Sequence, residues 1–286
     1  MKRILLAYSG SAAAANAVSW LADRDGAEIV TLTLDLGQGK ELEAVRDRAL
    51  SLGAVRAHVL DVHDTFVRQY LFRALKAWAL SDGHHRLTAA LTRPLIAERL
   101  CEVARIEQTR HVAHTCREGD ERIAVAARAL DPQLQVIAAP RGSTGTPAPP
   151  RTAVAPAEPA AVEVGFERGV PVAINGIVMP PVDLIRSLEI IARAHALDEA
   201  LQLLSTAHHH LQQTVAPQGA DDLRRRYVGL IERGDWFAPA RRTLDDAVAR
   251  SQERVSGTVT LKLFEGGCEI SGCQLSPPSK RLPVIA

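Results

Sequence analysis

The sequence predicts an α/β fold over its first half, a parallel sheet covered by helices, followed by a smaller α+β region. Three observations carry that expectation. Apolar, β-branched runs alternate with amphipathic helical stretches as far as residue 140, which is the pattern of βαβ units with right-handed crossovers. The first run, "KRILLAYSG", stops at a Ser-Gly turn that opens directly into a helix. Beyond residue 162 the order changes, and two hairpin patterns bracket four helices.

The elements follow in order. "SAAAANAVSWLADRDG" reads as a helix with small residues on its first turns, and "AEIVTLTLDLG" as a second strand. "GKELEAVRDRALSLGA" has apolar positions at helical spacing and a Gly stop, and "VRAHVLDV" is a third strand. "HDTFVRQYLFRALKAWALSDG" and "RPLIAERLCEVARIEQ" read as two amphipathic helices. "RHVAHTC" is a fourth strand, "DERIAVAARALDP" a helix and "LQVIAAP" a fifth strand. In sheets of this kind ligands sit beyond the carboxyl ends of the strands, beside the first βα turn, where Ser9 and Gly10 stand.

Residues 141–162, rich in Pro, Ala, Thr and Gly without a period, read as a linker, because they bury too little apolar surface to offset the cost of ordering. "VEVGFERGVPVAING" then reads as a hairpin with Asn175-Gly176 as a turn signal. Helices are expected near 181–197, 199–214, 219–233 and 239–253, and "SGTVTLKLFEGGCEISGC" as a hairpin turning at Gly266-Gly267. The expected domains are 1–140, the linker 141–162, an α+β domain 163–274 and a flexible tail 275–286.

Composition narrows the function. The 47% apolar and 23% charged residues are those of a soluble globular chain. No run reaches membrane-span length and no signal segment precedes the first strand, so a cytoplasmic protein is expected. A net charge of +1 argues against a nucleic-acid binder with a broad cationic face, and no membrane partner is expected. Cys101, Cys116, Cys268 and Cys273 form no C-x-x-C pair. His208, His209 and His210 are adjacent, and neighbouring helical residues point about 100° apart, so they do not converge on one ion. No metal site is expected.

Several long, collinear segments resemble argininosuccinate synthase: "ILLAYSG", "LDLGQGKELEAVRDRALSLGA", "TFVRQYLFRALKAWAL", "LTRPLIAERLCEVAR", "HVAH", "VEVGFERGVPVAING" and "GDWFAPARRTLDDAVARSQERVSGTVTLKLFEGGC". The likeness spans roughly 1–140 and 162–272. It implies an N-terminal adenine-nucleotide domain of the ATP-pyrophosphatase, HUP/Rossmann-like type, and a reduced synthetase and oligomerisation domain after it. It also implies the family's reaction, in which ATP adenylates the ureido oxygen of citrulline and the aspartate amine displaces AMP.

Carried over position by position, the likeness is incomplete. The family's pyrophosphate loop reads S-G-G-x-D-[ST]-[ST]. Ser9 and Gly10 match it, Ser11 stands at the second Gly, Ala13 at the Asp, and Ala14 and Ala15 at the hydroxyls. Backbone N–H groups at a helix start still attract an anion, but the side chains that position Mg²⁺ and pyrophosphate are gone. The residual nucleotide set is Ala7, Tyr8, Ser9, Gly10 and Ser11, with Asp35, Gly37 and Gln38 from "LDLGQG". For the amino-acid substrates only Thr88 and Arg122 remain. His85–Leu91 has lost the family's aromatic and first hydroxyl, and His114–Arg122 is three residues shorter than the family's loop. Two further family segments, one of about eighty residues with an S-x-D-E-N-L motif, have no counterpart. The expectation is an argininosuccinate synthase-like protein that is catalytically impaired or inactive and serves a regulatory or scaffolding role. The alternative is a divergent nucleotide-binding ligase for another substrate. ATP is expected to bind weakly or not at all, with Mg²⁺ only alongside it. The expected protein partner is a second copy or an intact synthase.

Overall fold

The computed structural model describes residues 2–37, 42–80, 85–117, 119–140, 160–195, 197, 200–215, 220–264 and 266–277, without the side chains of residues 25, 85, 86, 88 and 220. The expected linker up to residue 159 and the tail from 278 lie outside the described residues. The chain divides into two compact units. One comprises Met1–Phe66, Ala89–Ala148 and Leu230–Ala238, and the other Val67–Thr88, Pro149–Gly229 and Pro239–Ala286.

In the first unit β1 (Arg3–Ala7), β2 (Glu28–Asp35), β3 (Arg56–Asp61), β4 (His111–His114) and β5 (Gln135–Ala138) form an all-parallel sheet in the order β3-β2-β1-β4-β5. The connections are α1 (Ala12–Asp25), α2 (Leu42–Ser51), α5 (His85–Ile106) and α6 (Arg122–Leu130). Side chains alternate across a strand, so β1 feeds two cores. Ile4 and Leu6 pack with Ala14, Val18 and Leu21 of α1 and Ala49 of α2 on one face. On the other, Leu5 packs with Leu100 and Val103 of α5 and Ile123 of α6. Both faces are covered, which explains why β1 and β2 read as near-continuous apolar runs. The direction of winding reverses between β1 and β4, so the ligand crevice of this architecture opens where their carboxyl ends stop.

Two elements differ from the sequence reading. The single helix expected after β3 is broken into α3 (His63–Thr65), a π-helical segment (Phe66–Leu71) and α4 (Phe72–Lys76). The helix expected from Arg93 starts earlier, at His85, and carries Pro94 inside it. Ala90 and Leu91 before the proline are essentially inaccessible, so burial holds the extra turns although Pro94 cannot donate to the preceding turn.

The second unit is built on an antiparallel sheet in the order β10-β9-β6-β7-β8, from β6 (Ala160–Glu167), β7 (Val170–Ile174), β8 (Ile177–Val178), β9 (Gly257–Phe264) and β10 (Gly267–Leu275). Arg168-Gly169 turns β6 into β7, and the anticipated Asn175-Gly176 signal makes the next turn, with φ near +49° and +76°. A Cβ on Gly169 would stand 2.0 Å from Gln252 Oε1, so only glycine fits there. The helices are α7 (Pro181–Ala194), α8 (Ala200–Val215), α9 (Ala220–Arg233) and α10 (Pro239–Gln252), close to the expected spans. Val162, Val164 and Phe166 of β6 and Val259, Leu261 and Leu263 of β9 are buried on the face that α8 covers. Of the three histidines only His208 is buried. It meets Gln252 Oε1 through Nε2 at 3.1 Å, and burial pushes its pKa down to about 4, so it is a neutral core residue. Among the described residues no helix is long and apolar enough to cross a membrane.

Candidate functional site

The first-unit crevice is bordered by four segments, one after each of β1, β2, β3 and β4. The loop after β1 is shaped by Ser11. Its backbone is extended, and its Oγ accepts the Ala14 N–H at 3.3 Å, so it is the N-cap of α1. Ser9 Oγ donates to Ser11 Oγ at 3.0 Å. The helix-start N–H that a phosphate would seek is thus already met by a side chain of the loop. Val45 of α2 closes against Gly10, with both γ-carbons 3.2 Å from where a Gly10 Cβ would lie.

Three of the four alanines in the first turn of α1 face inward. Ala13, Ala14 and Ala15 are 9%, 0% and 6% exposed, and Ala14 belongs to the core cluster beneath β1. Ala7 ends β1. Tyr8 continues its pairing, its N–H donating to the Leu32 carbonyl, but its ring lies in the core. Burial pushes the Tyr8 pKa up, Arg48 opposes this, and the hydroxyl has no hydrogen-bond partner among the described residues.

After β2, Asp35 Oδ1 accepts the Gly37 N–H at 2.9 Å, which locks a tight turn. Gly37 has φ +80°, and a Cβ there would stand 2.5 Å from His63 Nε2, so the imidazole lies directly on the glycine. Asp61 Oδ1 meets His63 Nδ1 at 2.8 Å, and His63 Nε2 is 3.8 Å from Asp35 Oδ1. Asp35, Asp61 and His63 can each offer an oxygen or nitrogen within 4.8 Å of the others. Gln38 lies outside the described residues.

After β4 the expected Arg122 is engaged internally. Arg122 holds Asp120 in a fork, Nε to Oδ1 at 2.7 Å and Nη2 to Oδ2 at 2.9 Å, and Arg93 of α5 adds Nε to Oδ2 at 3.2 Å. Burial alone would raise the Asp120 pKa, but the Arg122 hydrogen bonds and both guanidinium charges bring it down to about 2. The Arg122 pKa rises in turn, mainly through its hydrogen bond to Asp120. Desolvation lowers the pKa of buried His114, against the pull of Asp120, and its Nδ1 accepts the Cys116 N–H at 3.2 Å. Arg117, Asp120, Arg122 and Glu232 line an open cleft of about 710 Å³. Thr88 lies in the first turn of α5, and its side chain is outside the described set.

The crevice therefore gathers the expected Ser9, Gly10, Ser11, Asp35 and Gly37 at adjoining strand ends and carries Arg122 at the start of α6, after β4. Sequence reasoning missed His63, Asp120 and Arg93 as members of the site. The Asp61/His63 and Asp120/Arg122 pairs, each two residues apart, were available as local signals, whereas Arg93 meets Asp120 only through the fold. These residues fit a nucleotide in part. Asp35 and Gly37 form a firm turn, but the start of α1 offers neither a carboxylate nor an uncommitted hydroxyl for a metal-bound pyrophosphate.

Two family profiles match the chain, the "Arginosuccinate synthase N-terminal HUP domain" over residues 3–151 and the "Arginosuccinate synthase C-terminal domain" over residues 198–278. The argininosuccinate synthase of Bacillus thuringiensis is 31% identical over 349 residues, covering 95% of this chain and 87% of that protein. That of Synechococcus elongatus is 32% identical over 350 residues, covering 95% and 88%. Both alignments are longer than the 286 residues of this chain, so both relatives carry internal residues without a counterpart here.

Proposed function

The chain belongs to the argininosuccinate synthase family of ATP-dependent citrulline–aspartate ligases, and from that premise we propose that it has kept the fold while losing the synthesis. In this reading it is a pseudoenzyme whose remaining role is regulatory or scaffolding, exerted through association with an intact synthase. The observation that carries the reading is the state of the helix start after β1. Ser11 Oγ caps α1, and Ala13, Ala14 and Ala15 turn methyl groups into the core where the family pattern has a carboxylate and hydroxyls. Removing one preorganised group that stabilises developing charge costs on the order of 10²–10³ in rate, and several are absent together. The commitment of Arg122 to Asp120 supports the same conclusion from the substrate side.

The firm Asp35–Gly37 turn favours a second, weaker reading, a divergent nucleotide binder acting on another substrate. One pair of measurements separates the two. Purified protein given citrulline, aspartate, ATP and Mg²⁺ should release no pyrophosphate above background, and it should migrate with an intact synthase in native mass spectrometry. Turnover dependent on all three substrates would overturn the proposal. A thermal shift with millimolar ATP but no turnover would favour the nucleotide binder, since a ligand at 100 times its Kd adds about 2.7 kcal/mol of stability.

A further inference from the structure

The second unit holds a cavity of about 390 Å³ between the Arg68–Lys76 stretch, the starts of β7 and α7, and α10. Phe72, Val170, Pro181 and Val248 give it an apolar wall. Its charged groups are unequally satisfied. Asp245 is fully engaged, with Tyr227 Oη donating to Oδ1 at 2.9 Å and Arg73 and Arg241 donating to Oδ2 at 2.8 and 3.0 Å. The Lys76 ammonium lines the same cavity and makes no hydrogen bond or salt bridge among the described residues, and the second acid, Asp246, is exposed.

We propose that this cavity binds a small organic carboxylate with an apolar body, the carboxylate on Lys76 and the body against Phe72 and Val248. The chemistry follows from the charges and the walls. A half-buried ammonium without a partner is costly, and a carboxylate that satisfies it forms a charge-assisted bond in partly dry surroundings. Arg68, Arg73 and Lys76 against Asp245 and Asp246 leave the lining one positive charge in excess, which matches one negative charge, and the second charge of a phosphate would meet Asp246 instead. The apolar wall repays burial of a hydrocarbon or ring, which an inorganic ion cannot use. Burial lowers the Lys76 pKa, Arg73 adds to this and Asp245 opposes it. This site is independent of the crevice reading, because each of its lining residues belongs to the second unit.

The test uses phenylacetate as probe and the full chain. Limited acetylation at pH 8, read by peptide mass spectrometry, reports Lys76 separately, and half-exposed Lys262 serves as internal control. Phenylacetate at tens of millimolar is expected to slow acetylation of Lys76 about fivefold or more and leave Lys262 unchanged. In an NMR titration, Lys76→Met should weaken phenylacetate binding by about tenfold or more, the usual loss for one charged contact. Unchanged labelling of Lys76 with phenylacetate present would overturn the proposal. So would a folded Lys76→Met chain that binds the probe as the parent does, or protection by inorganic phosphate equal to that by phenylacetate. If Lys76→Met does not fold, the labelling of the parent chain decides.

Discussion

At Asp120, two guanidiniums from different parts of the chain converge on one carboxylate, and the consequence is measurable through pH. Its pKa in the fold lies near 2, below the ordinary value of 3.8, through the Arg122 and Arg93 contacts. A carboxylate whose pKa falls on folding stabilises the fold above its unfolded pKa, and that stabilisation is lost as pH drops through the folded value. Asp120→Asn should therefore destabilise the chain by roughly 2 kcal/mol at pH 7 in urea unfolding, with the difference closing between about pH 4 and pH 2. A difference that persists unchanged at pH 2 would show that the pairing is not its source. The same residue marks the limit of local reading. The Asp120/Arg122 spacing is visible in the sequence, but Arg93 stands 27 positions away, and only the packing of α5 beside the loop after β4 brings it there.

Among the elements, the start of α1 and the join of α5 to β1 and β3 each lean on a single side chain. Ser11→Ala removes the cap of α1 and should cost about 0.5–2 kcal/mol, whereas Ser11→Gly should cost only a few tenths. Comparing their thermal midpoints checks the assignment, and equal losses would argue against the cap. Glu107, just past the end of α5, accepts from Arg3 at the start of β1 and meets Arg56 and His58 of β3, at 2.7–3.2 Å, while its side chain is 1% exposed. Burial would raise its pKa, but the bonds from His58 and Arg56 hold it below the ordinary range. Glu107→Gln strips the charge from a buried site with three donors and should cost about 3–5 kcal/mol in chemical denaturation. The elements themselves were largely legible, because period-2 and period-3.6 patterns respond to burial on a face. The break between α3 and α4 and the helix running through Pro94 were not. Both arise from packing that overrides local preference, and local preference is what a sequence displays.

For the molecule as a whole, the proposed loss of synthesis rests on several separate places, so on that reading repairing one loop should not restore the reaction. The double change Ser11→Gly and Ala13→Asp should improve ATP binding by calorimetry yet leave pyrophosphate release at background. Arg122 would stay bound to Asp120, and the internal segments of the relatives would still be missing. Full synthesis from those two changes would refute the idea that the loss is distributed. Adding Ala14→Thr is a poorer repair, since Ala14 is completely enclosed and a larger side chain there strains the core. The Ser11 cap bears on any such repair. Each reversion toward a phosphate cradle first breaks an internal bond, or buries a lone carboxylate, before any ligand is present to compensate. The bond from Ser11 to Ala14 thus sets the stability of the unliganded chain against capture of an anion at the same helix start.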